Sequence, residues 1–452
     1  MDTDDVVSEP NVDVVRPKRL RRAARIAASV AIVLVVVGAV VLVITQPWNR
    51  AEPVASPSAT RSIGATPTKT ATATPSPTAS AHVIGTVTMD PNLPPAKPLE
   101  SGLLASAGEG WNLVSYSSDN LNDAHEIGPQ ILYLVSPDGD VYEARNLGTS
   151  GDFRLADWAP GSSRVLLERG AVQAGEEPTL EVLDLETGAS VGSFTLPTDE
   201  GTTDPTFTRP TGQNVVVSTT LGANGWLRRY SPTGQQLATL LSDTDPNLPP
   251  DAIINFHPTW IYGQDGTFAV VSYHGLRRIS SDGATTTMIP LPAGTVECWP
   301  TRWWDASRLL ARCDDDLGPN PDDPTARRTS SNMWLISMTG QAPERLSSYV
   351  SKDVVDFGIT NVWDVAGTRY AQWSGDCGGA SFGVLDASGK YTTLTNSVTA
   401  VGSRGATFAA TYNISCGDPG RELVFVNGSD GSTRMILPRV GHAVGVLEVV
   451  AR

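Results

Sequence analysis

The stretch Asp157-Trp158-Ala159-Pro160-Gly161-Ser162-Ser163-Arg164-Val165-Leu166-Leu167-Glu168 reads as a strand end, a tight turn and a second strand. A polar connection follows. Then Leu180-Glu181-Val182-Leu183-Asp184-Leu185-Glu186-Thr187-Gly188 gives a third strand and a turn whose glycine accepts a positive φ. A fourth strand completes the unit. The order is strand, turn, strand, loop, strand, glycine turn, strand.

The unit recurs. Glycine turns fall at Gly139, Gly188, Gly234, Gly283, Gly340, Gly389 and Gly431, spaced 42 to 57 residues apart. Runs such as ILYLV (131–135), WLRRY (226–230) and MWLIS (333–337) precede them. Upstream, an aromatic and a small turn introduce another strand, as in FTRPTGQNVVVS (207–218), WIYGQDGTFAVVS (260–272), WWDASRLLAR (303–312) and VWDVAGTRYAQW (362–373). Four strands repeating every ~40–50 residues is the pattern of a β-propeller, because one four-stranded sheet cannot bury both faces alone and a ring of them can. The expectation is an all-β, seven-bladed propeller over residues 83–452, with six or eight blades as alternatives. Trp158, Phe207, Trp260, Trp303 and Trp363 are expected between blades. By analogy, HVIGTVTM (82–89) is expected as an outermost strand completing the last blade. AVGVLEVVA (443–451) follows the seventh turn, and DPNLPP occurs at both 90–95 and 245–250.

Trp158-Ala159-Pro160-Gly161 and Arg209-Pro210-Thr211-Gly212 make the repeat resemble the TolB-type, WD-repeat-like propeller unit, over most of residues 101–440. The resemblance implies a propeller fold, export and protein contact. It brings no catalytic residue with it.

Residues 26–45, IAASVAIVLVVVGAVVLVIT, are uncharged and have the length that crosses a ~30 Å hydrocarbon layer. They have no polar face, which argues against a buried soluble helix. The apolar run is longer than that of a cleaved signal peptide and lacks a small-x-small site after it. Six basic residues lie in RPKRLRRAAR (16–25), so the positive-inside rule predicts a cytoplasmic tail (1–25), a transmembrane helix (26–45) and an extracytoplasmic remainder. Residues 46–82 read as a linker: 25 of residues 51–81 are Pro, Ser, Thr or Ala, too polar and small to offset the entropy of ordering.

The whole chain carries net charge −15. Seven of its 33 basic and five of its 48 acidic side chains lie in the first 50 residues, leaving 26 against 43, net −17, in residues 51–452. That excludes nucleic acid as an expected partner of the main domain.

Alternating strands put the first–second and third–fourth turns of every unit on one rim, and the remaining connections on the other. The first rim is monotonous. The second holds the long, charged connections: 117–130, 170–179 with Glu176 and Glu177, 197–206, and 314–328 with Asp314, Asp315, Asp316, Asp322 and Asp323. Function concentrates on loops held by a rigid scaffold, so these seven acidic residues are the candidate binding set. The stretch Cys313–Asp323 is read as one loop whose oxygen chemistry suits Ca²⁺ but lacks the D-x-[DN]-x-[DN]-G order, so a solvated acidic loop is the simpler reading and no cofactor is expected. All four cysteines are placed on the same rim. Cys298, Cys313, Cys377 and Cys416 are an even set in an exported domain, which favours disulfides, with Cys298–Cys313 and Cys377–Cys416 one of three connectivities. A four-thiolate zinc site lacks any CxxC spacing.

Gly375-Asp376-Cys377-Gly378-Gly379 resembles the nucleophile loop of viral chymotrypsin-like cysteine proteases, and Leu183–Gly188 resembles a quinone-dehydrogenase repeat. The first sits in the wrong fold, and the second occurs once without its tryptophan. No catalytic set emerges, and His82, His125, His257, His274 and His442 are scattered. The leading expectation is a membrane-tethered extracytoplasmic module binding an envelope protein or polymer through the acidic rim. The alternative is an envelope hydrolase with carboxylates in the central funnel.

Overall fold

The computed structural model describes residues 83–84, 86–120, 128–149, 153–169, 177–196, 202–221, 224–242, 260–272, 275–319, 327–351, 356–375, 379–413 and 421–452. All lie in one compact unit, Thr78–Arg452. The expected tail, membrane helix and linker (1–82) lie outside the described residues, as does the second DPNLPP copy.

The chain enters through β1 (Val83–Ile84), β2 (Lys97–Glu100) and a single helical turn, α1 (Leu103–Ser106), then forms β3 (Asn112–Asn120), β4 (Gln130–Val135) and β5 (Val141–Gly148). The stretch around Trp158 becomes β6 (Phe153–Trp158), β7 (Arg164–Arg169), β8 (Thr179–Asp184) and β9 (Ser190–Thr195), a separate four-stranded antiparallel sheet. Two more such sheets follow: β10 (Thr202–Phe207), β11 (Val215–Leu221), β12 (Asn224–Tyr230) and β13 (Gln236–Ser242); then β14 (Trp260–Tyr262), β15 (Phe268–Ser272), β16 (Gly275–Ile279) and β17 (Thr286–Pro290). Next come β18 (Thr295–Trp303), β19 (Arg308–Pro319), β20 (Arg327–Ser337) and the short β21 (Glu344–Arg345), and β22 (Asp356–Val365), β23 (Thr368–Gly375), β24 (Ala380–Leu385) and β25 (Tyr391–Asn396). These two units share a sheet only through one parallel bridge, Ser331 to Gly358. The last elements are β26 (Val398–Arg404), β27 (Thr407–Asn413), β28 (Arg421–Asn427), β29 (Thr433–Leu437) and β30 (Ala443–Ala451).

Period-two alternation explains why these sheets stack. Along β4, Ile131, Tyr133 and Val135 enter one core with Phe425 of β28, while Leu132 and Leu134 enter another with Trp158 of β6. Val165 and Leu167 of β7 face back into that second core, and Leu166 faces forward onto Phe207 and Val215. Val216 of β11 turns the other way, toward Trp260 and Phe268. These middle strands thus feed two cores, one on either side, whereas outer strands such as β9 and β17 are largely exposed. The expected aromatics sit in these layers: Trp158, Phe207, Trp260 and Trp363 are buried and Trp303 is partly so. Truncating one to alanine costs ~3–5 kcal/mol.

The glycine turns tighten the stack. Gly283 has φ 76°, and a Cβ there would stand 2.9 Å from Cα of Leu240 in the preceding sheet. The turn needs the left-handed conformation, and the neighbouring sheet needs the space.

β30 pairs antiparallel with β3, from Asn112–Ala451 to Asn120–Ala443, so the strand order is β30-β3-β4-β5. The strand that begins this sheet comes from residues 443–451. Of HVIGTVTM, Val83–Ile84 forms the outermost strand of that same sheet, as expected of an outer strand: β1 pairs β2, and β2 runs parallel along β5, so segments from both ends of the domain meet in the sheet that β30 begins. Burial matches the two positions: AVGVLEVVA is apolar at all but Gly445 and Glu448 and buries Ala443 and Val446, whereas Val83 on the outer edge is 46% exposed. The leading strands of successive sheets touch, β30 with β6, β6 with β10, β14 with β18 and β26 with β30. These features make the fold a β-propeller.

Candidate binding rim

The antiparallel order places the turns at 159–163, 185–189 and 280–285 on one rim and the connections after β7, β9, β19 and β21 on the other. Strands extend further onto the second rim than the sequence suggests. Ser117–Asn120 belong to β3, Thr202–Thr206 to β10, and the presumed acidic loop starts inside β19. Ladder bonds need only backbone, and Asp314, Asp315 and Asp316 register against Ser331, Ser330 and Thr329 of β20. Asp322, Asp323 and Glu176 lie outside the described residues, and Glu177 is exposed just before β8.

Alternation splits the three described aspartates. Asp315 turns into the sheet and is buried. Its Oδ2 accepts the Asn332 side-chain amide at 2.6 Å and pairs with the Arg345 guanidinium. Asn332 also donates to the Tyr349 carbonyl at 2.8 Å and accepts from Tyr349 N–H at 2.7 Å. Side chains here replace the ladder that the two-residue β21 does not provide. Desolvation pushes the Asp315 carboxyl up, against the pull of Arg345. Asp315 is thus a structural clasp. Nearby, Tyr349 donates to Asp356 at 2.8 Å, and burial with that carboxylate pushes its phenol up to about 12.

Asp314 faces the other way. It accepts the Ser331 hydroxyl at 2.6 Å and stands directly across the ladder from Glu297 of β18. Two carboxylates opposite one another are unfavourable. Burial and Asp314 together raise the Glu297 pKa, although Arg312 opposes them. Arg312 lies 4.4 Å over the Trp299 ring, and burial lowers its own pKa. Glu297 accepts no hydrogen bond from any described residue. Sequence reading missed it because it lies in a strand, outside the acidic run.

Cys298 and Cys313 are cross-strand partners in β18 and β19 and form a disulfide. They are buried with Ala269, Leu276, Leu309 and Ile336, in the core against the preceding sheet and away from the rim surface where the sequence reading put them. Cys377 and Cys416 lie outside the described residues. Among the described residues, no group of three or more His, Cys, Asp or Glu side chains gathers as a metal site.

The leading strands carry a second set of ionisable groups. Glu448 of β30 accepts from the Leu155 N–H of β6 and the Ser115 hydroxyl, while its Oε2 is buried without a partner. Burial pushes its carboxyl up to about 7. Ser115 accepts from Gln130 at 2.7 Å, and Gln130 also donates to Phe153 O at 2.6 Å and accepts Phe153 N–H at 3.3 Å. Asp157 of β6 accepts Phe207 N–H of β10 at 2.8 Å, the Thr206 hydroxyl, and Arg209 at 3.0 Å. Gln372 of β23 repeats the device, donating to Val398 O at 3.0 Å and accepting Ala400 N–H at 3.0 Å in β26. Arg452 lies 3.4 Å over the Trp158 ring and donates to the carbonyls of Leu104, Ala107 and Ala159. Burial lowers its pKa to about 10. These polar groups stitch sheet to sheet. The raised carboxyls Glu448 and Glu297 have separate neighbours, Ser115 and Asp314, so no acid–base pair is assembled from them.

No protein-family model matches the chain, and no curated protein sequence matches it. Solved structures similar to it include the β-propeller domain of the trilobed protease from Pyrococcus furiosus, described as having an open velcro topology (11% identity, 74% of this chain and 97% of that one, TM-score 0.46). Others are TolB from Acinetobacter baumannii (13% identity, 76% and 67%, TM-score 0.39) and BamB from Moraxella catarrhalis (14% identity, 74% and 97%, TM-score 0.38).

Proposed function

We propose that residues 83–452 form a seven-bladed ring, closed by β30 against β3, that works as an extracytoplasmic binding module for a protein or polymer of the cell envelope. In this reading residues 26–45 hold it to the membrane, residues 46–82 space it from the surface, and the loop rim is the working face. The rim asymmetry carries the proposal. One rim is a series of short turns, while the other presents long connections and exposed apolar side chains such as Val350 and Phe357. Among the described residues of the inner strands, Asp157 is engaged with the Phe207 N–H and Arg209 of the next sheet and no two raised carboxyls face one another, which supports binding over hydrolysis. The uncharged 26–45 segment after a basic run supports the topology.

The test is site-specific photo-crosslinking in cells producing the full chain, with a benzophenone residue at Val350 or Phe357 on the loop rim, or at Thr187 or Ser281 on the turn rim. Envelope adducts are expected from the first two positions only. Equal adducts from both rims, or none from the loop rim, would sink the proposal.

A further inference from the structure

The sheet β30-β3-β4-β5 differs from the others in how its first strand is held. β30 reaches β3 through a ladder across more than 300 positions, whereas β6–β9, β10–β13 and β14–β17 are each built from consecutive strands. Residues 86–107 lie along this closing sheet and pack at both of its flanks. At one flank Leu93 is buried with Tyr133 of this sheet, Val446 of β30, and Phe425 and Leu437 of the last sheet. At the other, Leu99 and Leu104 are fully buried with Leu132 and Leu134 of this sheet and with Trp158 and Val165 of the next. Between the flanks the segment is fastened to the outer strand. Glu143 of β5, itself buried, accepts the Thr88 N–H at 2.8 Å and the Thr88 hydroxyl at 2.6 Å. Lys97 pairs with Asp140 at 2.8 Å, and the Gly102 N–H reaches Glu186, in the turn after β8, at 2.9 Å.

The same segment holds the residue that ends β30. Arg452 donates to the Leu104 and Ala107 carbonyls, its N–H donates to Trp111 O at 2.9 Å, and its carbonyl accepts the Gly110 N–H at 2.7 Å. Lifting residues 99–107 therefore takes partners away from β30. The outer part is held lightly by comparison. β1 meets β2, and β2 meets β5, through two residue pairs each, and the Lys97–Asp140 pair is exposed. Short ladders and exposed ion pairs open at low cost. We propose that residues 86–107 are a releasable strap: seated on β5 it locks β30 onto β3, and peeled from β5 it leaves that seam the first to open. The strap continues through β1 into residues 46–82, so tension along that segment acts on the strap before it acts on any other sheet. The proposal rests on the ring being closed by β30 against β3 and names what secures that closure.

Hydrogen exchange of the purified full chain, read by mass spectrometry, tests it. Thr88→Val with Lys97→Ala undoes the polar clasp and keeps the buried side chains, and Leu93→Ser undoes the apolar plug. Each is expected to raise exchange at least about tenfold in β2, β30 and β3 and to leave β10–β25 as in wild type. Coupling is reciprocal, so Arg452→Ala is expected to raise exchange in β2 as well. Arg369→Ala removes the ion pair with Glu344 on other sheets and is expected to leave β30 and β3 unchanged. The inference is overturned by strap variants that loosen β2 while β30 and β3 exchange as in wild type, by strap variants that exchange as wild type throughout, by a rise shared equally among all the sheets, or by an equal rise in the Arg369→Ala variant. With β30 and β3 well protected in wild type, any of these results removes the strap and leaves the closure standing; free exchange of β30 and β3 in wild type removes both.

Discussion

Replacing Glu448 with glutamine removes a charge that the closing seam cannot solvate. In the folded chain one carboxylate oxygen receives the Leu155 N–H and the Ser115 hydroxyl, and the other is buried without a partner. Burial takes the group from its ordinary 4.5 to about 7, so the folded state binds this proton more tightly than the unfolded chain. Stability therefore falls as pH rises from about 4.5 to about 7 and stays reduced above that window. At 1.36 kcal/mol per pH unit the full penalty is up to about 3 kcal/mol, an upper bound because the residue retains some contact with water. Unfolding Thr78–Arg452 releases about 0.8 kcal/mol/K at ~2.1 cal/mol/K per residue, so that penalty corresponds to about 4 °C in Tm. Calorimetry of wild type and Glu448→Gln at constant ionic strength is the assay. Near-equal Tm is expected at pH 4.5, a growing advantage for the variant through pH 6, and a plateau above pH 7.5. The lowered carboxyls at exposed turns, such as Asp305 at about 2, titrate below this window in both proteins and cancel in the difference. A variant no more stable than wild type at pH 8, or a difference that does not vary with pH, would refute the argument.

Three further outcomes are expected. Cys298→Ser with Cys313→Ser opens a loop with a sequence separation of 15 and lowers stability by up to about 3 kcal/mol in urea unfolding; reductant brings wild type down to the variant and leaves the variant unmoved. Arg452→Ala removes the cation over Trp158 and costs ~1–2 kcal/mol, with hydrogen-exchange protection lost first in β30 and β3; uniform loss across the sheets would contradict its role at the seam. Asp157→Ala strands Arg209 and the Phe207 N–H between two sheets and costs ~3–5 kcal/mol, whereas Asp157→Asn costs less; equal effects would show that the carboxylate charge is irrelevant there.

The repeat was legible because each signal had a local cause. Asp138-Gly139 and Asp282-Gly283 mark turns whether or not the rest of the sheet is known, and both glycines adopt positive φ. Trp158 and Phe207 announced the inter-sheet cores because a large aromatic at the end of a leading strand has nowhere else to be buried. Closure was not legible in the same way. It depends on 443–451 pairing with Asn112–Asn120, and a pairing across more than 300 positions leaves no mark on neighbouring residues. The available signal was compositional: AVGVLEVVA is apolar over its whole length except Gly445 and Glu448, whereas the apolar run before Met89 is short and gives way to DPNLPP.

The candidate site shows the opposite balance. Counting carboxylates drew attention to Asp314, Asp315 and Asp316 as one group, yet a strand sends neighbours to opposite faces, and the ladder from Asp314–Ser331 to Asp316–Thr329 separates them. Asp315 is consumed in holding Arg345 and Asn332, so charge density along the sequence overstated the acid that a partner can reach. Glu297 went unnoticed for the same reason in reverse. Fifteen or more residues separate it from the acidic run, and only strand pairing brings it opposite Asp314. Gln130 and Gln372 carry a weaker sequence mark, an amide beside buried apolar residues of its strand; each satisfies backbone groups of the next leading strand, which an apolar residue there would leave unpaired. In a fold made of stacked sheets, polar residues inside strands divide by what lies across the seam. Those facing a neighbouring strand's backbone become stitches, as Asp157 does at Phe207 N–H, while Glu297 faces another carboxylate across its own sheet, with Arg312 the nearest cation that opposes its raised pKa.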